Sequence, residues 1–241
     1  MTRALLALQA ATRFRITPER RIRCENDPEL SPAPLLYMSG CEEGWIGYVR
    51  EDVGQDTARA FDELILREPP VRNPGASPRF AEAYCEILGV TAPLTPHNFG
   101  PIHRLPRDTS WSCNAEIVCH GTPEGNALRA RIVRNGMSRE MTEAGFVDLS
   151  HFWEPWCVAI AGETIAAIAF AARRSTLAAD IGVYTIAPHR GHGLAEAVTA
   201  AWSRLLPRQP VLFYATNRDN AASQRVIAKM GLPFVGESFS L

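Results

Sequence analysis

The stretch "TIAPHRGHGLAEAVTAAWSRLL", residues 185–206, sets an arginine and two glycines directly in front of a helical pattern. Leu194, Val198, Ala201, Trp202 and Leu205 recur at the spacing of one apolar helix face. A helix start leaves backbone N–H groups without intrahelical partners and carries partial positive charge. Gly191 and Gly193 remove the side chains that would hold a ligand off that backbone, and Arg190 adds a permanently charged fork. His192 lies between the glycines, directed outward or serving as one more donor. A turn of this kind holds an anion such as a pyrophosphate by local geometry. It is not a Walker loop, since no Gly-Lys-Ser/Thr follows, and it carries no G-x-G-x-x-G dinucleotide fingerprint.

Working outward, "ADIGVYTIAP" (179–188) reads as the strand that delivers this turn. Before it, "NAEIVCH" (114–120) reads as a strand and residues 122–145 as one or two polar helices. The apolar runs "WCVAIAG" (156–162) and "ETIAAIAFAAR" (163–173) meet at a glycine turn and read as a hairpin. After the central helix come a buried strand "PVLFYAT" (210–216), a short helix "NAASQRVIAKMG" (220–231) and a last strand "PFVGESFSL" (233–241). The order is β, α, β, β, β, α, β, α, β. Asp219 or Asn220 caps the last helix through its side chain. Two helix starts that follow adjacent strands bring both loops to one end of the sheet.

The 241 residues suffice for one large or two small domains. With 25 basic and 26 acidic side chains, no broad surface field invites nucleic acid or anionic lipid, so an anionic ligand must be bound locally. Lys229 is the only lysine. The cysteines, at 24, 41, 85, 113, 119 and 157, have neither CxxC nor zinc-finger spacing and read as reduced core residues. His189 and His192 have HxxH spacing, but in an exposed turn they are expected to hold no metal. "MTRALLALQAATRF" is broken by arginines, too short to span a bilayer and without a cleavage site, so the expected location is cytoplasmic.

Proline and glycine crowd residues 68–78 and 91–110. The second stretch reads as an interdomain connection. It divides the chain into a smaller N-terminal α/β domain (1–108) of accessory or structural role and a C-terminal domain (109–241). In the first, "PLLYMSG" and "GWIGYVRE" read as strands. Ala58, Phe61, Leu64 and Ile65 mark one helix; Phe80, Tyr84 and Ile87 mark another, closed by Gly89.

The quoted residues resemble a known family. "TIAPHRGHGLAEAV" is similar to the coenzyme A loop of the Gcn5-related N-acetyltransferases (GNAT), whose Q/R-x-x-G-x-G/A signature is matched by Arg190, Gly193 and Ala195. "NAASQRVIAKMGLPFVGE" is similar to their C-terminal signature through Asn220, Ser223, Lys229 and Gly231. The resemblance covers residues from about 110 to 241 and implies an α/β fold of α+β type with a mixed, mostly antiparallel sheet. It further implies acetyl-CoA as co-substrate, no metal, and transfer of the acetyl group to an amine by direct attack on the thioester.

The cofactor set implied is Thr185, Ile186, Arg190, Gly191, His192, Gly193, Leu194, Ala195, Asn220 and Ser223, with the pantetheine arm in a gap beside the main chain of Tyr184, Thr185 and Ile186. The N–H near Ile186 is the expected oxyanion donor. Asp180, Gly182, Tyr184 and Ile186 share a strand face, and family members often carry a glutamate near the Asp180 position, so Asp180 is the candidate base. Glu154, in the aromatic-rich "HFWEPWC" (151–157), is the second choice. The chain departs from the pattern at Ile227, where many members have a tyrosine acid; Ser223, Tyr184, Tyr214 or water are left for that role. The catalytic set is thus Asp180, Tyr184 and Ser223. The acceptor is a small-molecule or protein amine, and a homodimer stays open. Two other readings remain: a non-catalytic acyl-CoA-binding sensor, which Ile227 favours, and a binder of nucleotide phosphates.

Overall fold

The computed structural model describes residues 2–206 and 211–241. Met1 and Pro210, included in two of the stretches above, lie outside them. From the N-terminus, α1 (Thr2–Arg13) runs into β1 (Phe14–Ile16) and β2 (Arg21–Glu25). A hairpin of β3 (Leu36–Cys41) and β4 (Gly44–Arg50) precedes α2 (Gln55–Ile65), α3 (Ala81–Leu88) and β5 (Phe99–Arg104). Then follow β6 (Glu116–Cys119), α4 (Pro123–Asn135), α5 (Arg139–Glu143), β7 (Trp156–Ala161), β8 (Thr164–Arg174) and β9 (Ala178–Thr185). The chain ends with α6 (Leu194–Ser203), β10 (Val211–Ala215), α7 (Ala221–Met230) and β11 (Phe234–Ser240). The second half has the expected order of elements. Helices of both halves start and stop on the residues that favour it: Thr122 and Ser138 cap α4 and α5, and left-handed Gly89 and Gly231 end α3 and α7.

The fold is α/β with a mixed, mostly antiparallel sheet. All strands join in the order β1-β2-β4-β3-β11-β5-β10-β9-β8-β7-β6. Among the described residues only β2–β4 and β9–β10 are parallel. The stretch 91–110, expected to be an irregular connection, contains β5, which pairs antiparallel with both β10 and β11. The two halves divided near residue 108 therefore share one continuous sheet. Gly100 and Pro101 hide this strand, because both residues are depleted in strand interiors. Here glycine is required: the carbonyl of Thr216 occupies the space that a Cβ at Gly100 would fill.

Alternation along the strands sends side chains to two covered faces. On one face, α6 lays Leu194, Val198 and Trp202 on Ala167, Ala169 and Ala171 of β8. Alanines let the helix approach closely enough to bury the Trp202 indole, whose Nε1 donates to the Pro155 carbonyl at 2.7 Å. The same face continues under α2 and α3 through Met38, Phe61, Tyr84 and Phe239. On the other face, α4 and α5 cover β7 and β8. Beside them α1 inserts Leu6 and Ala10 among Tyr37, Ile102, Ala178, Phe213 and Val235, bridging strands of both halves. No helix among the described residues is long and apolar enough to cross a membrane.

Candidate active site in a gap between two strands

The site arises where the sheet opens. Parallel pairing of β9 with β10 runs from Ala178↔Val211 to Asp180↔Phe213 and ends there. Beyond it, β10 stays with β5 while β9 stays with β8 as far as Thr185. A register shift between Ala171 and Arg173 of β8 lies opposite the point of divergence, and such bulges bend and twist a strand pair. The N–H of Ile186 donates to Ala166 across β8 at 2.9 Å. Backbone directions alternate along a strand, so the N–H groups of Val183 and Thr185 face the gap.

One cavity, of about 230 Å³, opens beside the α6 start and is lined by Thr185, Arg190, Gly191, Gly193, Leu194 and Ala195 on one side and Tyr214, Asn220 and Ser223 on the other. Gly191 and Gly193 hold φ of 86° and 75°, a region that costs other residues about 1–2 kcal/mol. This conformation leaves the N–H groups of Gly191 through Glu196 without a partner among the described residues; the first bond of the helix is Ala197 N–H to Gly193 at 3.1 Å. Arg190 is tied back by its Nε donating to the Thr185 carbonyl at 3.2 Å. The Thr185 Oγ1 is buried and has no hydrogen-bond partner among the described residues. Buried Glu196 would oppose an anion here, but the Lys229 ammonium stands 3.0 Å from it and neutralises it. Arg190 and Arg225 then leave the lining cationic. The one lysine of the chain thus has a defined electrostatic role.

A second cavity, of about 280 Å³, lies at the C-terminal end of α1 and shares Val183, Tyr214, Asn220 and Ser223 with the first. The two adjoin along these shared residues. Asp180, 7% exposed, lines the second cavity at the last paired position of β9. Its Oδ2 accepts from Gln9 Nε2 at 3.1 Å, and Gln9 Oε1 accepts from the Tyr37 hydroxyl at 2.6 Å. Its Oδ1 is buried without a hydrogen-bond partner among the described residues. Burial pushes the carboxyl up to about 6, against the pull of Arg13, Gln9 and Arg173. At the junction of the cavities the Tyr214 hydroxyl donates to Ser223 Oγ at 3.4 Å, and burial raises its pKa above the ordinary phenol value. Asn220 caps α7 by accepting from the Ser223 N–H at 3.0 Å, which fixes that corner.

The remaining expected residues are distributed as follows. Ile186 is buried in the α4–α5 face and lines neither cavity; its N–H, expected as an oxyanion donor, is committed to Ala166 because the β9–β8 ladder extends one residue past the strand. His192 is exposed outside the cavity lining, with Nδ1 3.3 Å from the His189 carbonyl. Tyr184 lines the first cavity, but its ring packs on Phe146 (5.9 Å between centroids) on the face away from α6. Ile227 is core. Glu154 sits elsewhere, paired with Arg129 and with His120 at 3.1 Å, and its carboxyl is held below the usual range mainly by Arg129. Gln9, Tyr37 and Arg13, which surround Asp180, were not among the expected residues; the apolar spacing of Leu6 and Ala10 marks the helix that carries two of them but not where it docks.

No family model matches the chain, and no curated protein matches its sequence. Solved structures do. A protein from the GNAT family of Novosphingobium aromaticivorans is 18% identical with a TM-score of 0.38, over 59% of this chain and 66% of its own, just short of two-thirds. An acetyltransferase from the GNAT family of Colwellia psychrerythraea is 15% identical, TM-score 0.42, over 81% of this chain and 76% of its own. A GCN5-related N-acetyltransferase-like protein from Streptococcus suis is 15% identical, TM-score 0.42, over 89% and 86%. Overlaps this loose leave the chemistry to the site itself. The C-terminal half of the chain resembles the Gcn5-related N-acetyltransferases in two sequence motifs and in the order of its elements from β6 to β11.

Proposed function

We propose that the protein is an acyltransferase of the N-acetyltransferase kind, using acetyl-CoA and an amine. One observation carries the reading: a row of unpartnered N–H groups at a helix start opens, through a gap between parallel strands, onto a buried carboxyl. The residues present fit coenzyme A. The α6 turn with Arg190 and Arg225 suits its diphosphate, and the orphaned Thr185 hydroxyl and the free strand edge suit its pantetheine arm. When bound, the cofactor supplies an acetyl group as a thioester.

The chain's own groups then divide the work. The N–H groups of Val183 and Thr185 serve as donors to the carbonyl oxygen as it gains negative charge. Asp180, ionised above about pH 6, takes a proton from the amine directly or through water. Tyr214, hydrogen-bonded to Ser223, returns a proton to the leaving sulfur. Tyr214 thereby takes the role left vacant at Ile227, which weighs against a non-catalytic sensor. Calorimetric titration with acetyl-CoA, with thiol release followed over a panel of amines, tests the reading. Micromolar binding with amine-dependent release is expected. Binding without release from any amine would favour the sensor, and absence of binding would overturn the proposal.

A further inference from the structure

The second cavity has a charge pattern of its own. Its charged lining is Arg13, Arg173 and Asp180. Arg173 is committed to the protein: Nε donates to Glu25 at 2.7 Å, Nη1 to the Ala172 carbonyl at 2.7 Å, and Nη2 stands 3.4 Å from Asp27. Arg13 is not. Its one ion pair within 4 Å among the described residues is with Glu25, 3.6 Å from Nε; that Nε is buried without a hydrogen bond, and Asp180 adds attraction at longer range. The guanidinium is nevertheless held in place, 5.4 Å from the ring centre of Phe14 and 5.6 Å from that of Tyr37. A planar fork is therefore positioned at one side of the cavity with donor capacity in hand, and Asp180 lines the same cavity.

Arg173 is neutralised by Glu25 and Asp27, which leaves Arg13 as the guanidinium with a fork to offer a ligand beside Asp180. An amine that carries its own carboxylate matches this planar fork, which binds such groups bidentately, and sets its ammonium beside the Asp180 carboxylate. The volume, about 280 Å³, is at the small end of ligand pockets and suits a small molecule better than a folded surface. Resting on the transferase reading above, we infer that the acceptor is a small amino-carboxylate, with Arg13 holding its carboxylate and its amine directed to Asp180 and the gap. The transfer forms the N–C bond and breaks the C–S bond. The ammonium gives up two protons overall, one ending on the leaving sulfur and one in solvent. Arg13 acts as a substrate-binding residue and takes no proton.

The test pairs every common L-amino acid with its amine lacking the carboxylate, such as alanine with ethylamine and phenylalanine with phenethylamine. Thiol release from acetyl-CoA is the readout. The carboxylate-bearing member is expected to show a kcat/KM higher by about tenfold or more, as for a charge-assisted pair. Arg13→Gln should abolish that preference through KM, and Arg13→Lys should restore part of it. Because Arg13 is packed, the wild type supplies a second measurement: N-acetylalanine should inhibit where N-ethylacetamide does not. Equal use of both members, or binding of acetyl-CoA with no turnover of either, overturns the inference and leaves the cofactor site standing. Failure of acetyl-CoA to bind in the same preparation overturns the transferase reading, and this inference falls with it.

Discussion

Replacing Gly193 by aspartate, with asparagine as its uncharged counterpart, isolates the electrostatic part of the α6 turn. Gly193 is the residue ahead of the helix, with φ 75° and ψ 12°. Both replacements adopt this left-handed conformation at a cost of about 1 kcal/mol, and both push the new Cβ against Trp111 Nε1, 2.9 Å away. Strain and crowding are therefore common to the pair, and only the charge differs. A carboxylate about 4 Å from a bound phosphate costs about 4 kcal/mol at an effective dielectric constant of about 20, or about a thousandfold in affinity. The turn is open to solvent, and screening at physiological salt reduces this. Gly193→Asp is thus expected to bind acetyl-CoA at least about tenfold more weakly than Gly193→Asn. Calorimetry measures the affinities, and thermal melts establish that the two are equally folded. Affinities within a factor of about three of each other would refute phosphate binding at this turn.

Asp180→Asn should lower turnover without changing acetyl-CoA affinity, and the wild-type rate should fall as pH drops through about 6. Because the folded carboxyl titrates near 6, above its unfolded value, the native state binds the extra proton, and this group's contribution makes stability fall as pH rises between the two values. Asp180→Asn should then be the more stable protein at pH 7.5, the difference closing below about pH 6; melts with no pH-dependent gap would contradict the burial argument. Tyr214→Phe should lower kcat by about 100-fold, the lower end for a general acid, with little change in KM for acetyl-CoA, and an unchanged kcat would remove Tyr214 from the mechanism. Glu68→Ala should destabilise the fold by about 3 kcal/mol, since Glu68 accepts from the N–H groups of Arg79 and Phe80 and from the Tyr84 hydroxyl. Denaturant unfolding giving less than about 1 kcal/mol would show that water replaces those bonds.

The sequence by itself determined the elements of the second half and the turn that defines the site. Their periods are local: Leu194, Val198 and Trp202 recur on one helix face, β7 and β8 are near-continuous apolar runs, and Gly191 and Gly193 mark a turn with open backbone from their composition alone. Cap residues such as Asn220 were legible for the same reason. What tertiary structure decided is how these pieces face one another. β5 was hidden because Gly100 and Pro101 carry no strand signal, and what requires glycine there is the carbonyl of Thr216, distant in sequence, while β10 and β11 pair with the strand on either side. The N–H of Ile186 was lost to the site because the neighbouring strand claims it, a matter of pairing and not of residue type. The surroundings of Asp180 are the clearest case. Gln9 lies 171 residues away, and α1 reaches it only because Leu6 and Ala10 find an apolar seat across strands of both halves. Hydrophobic periodicity states that a helix has a face to bury; it is non-directional, and only the assembled sheet states against what.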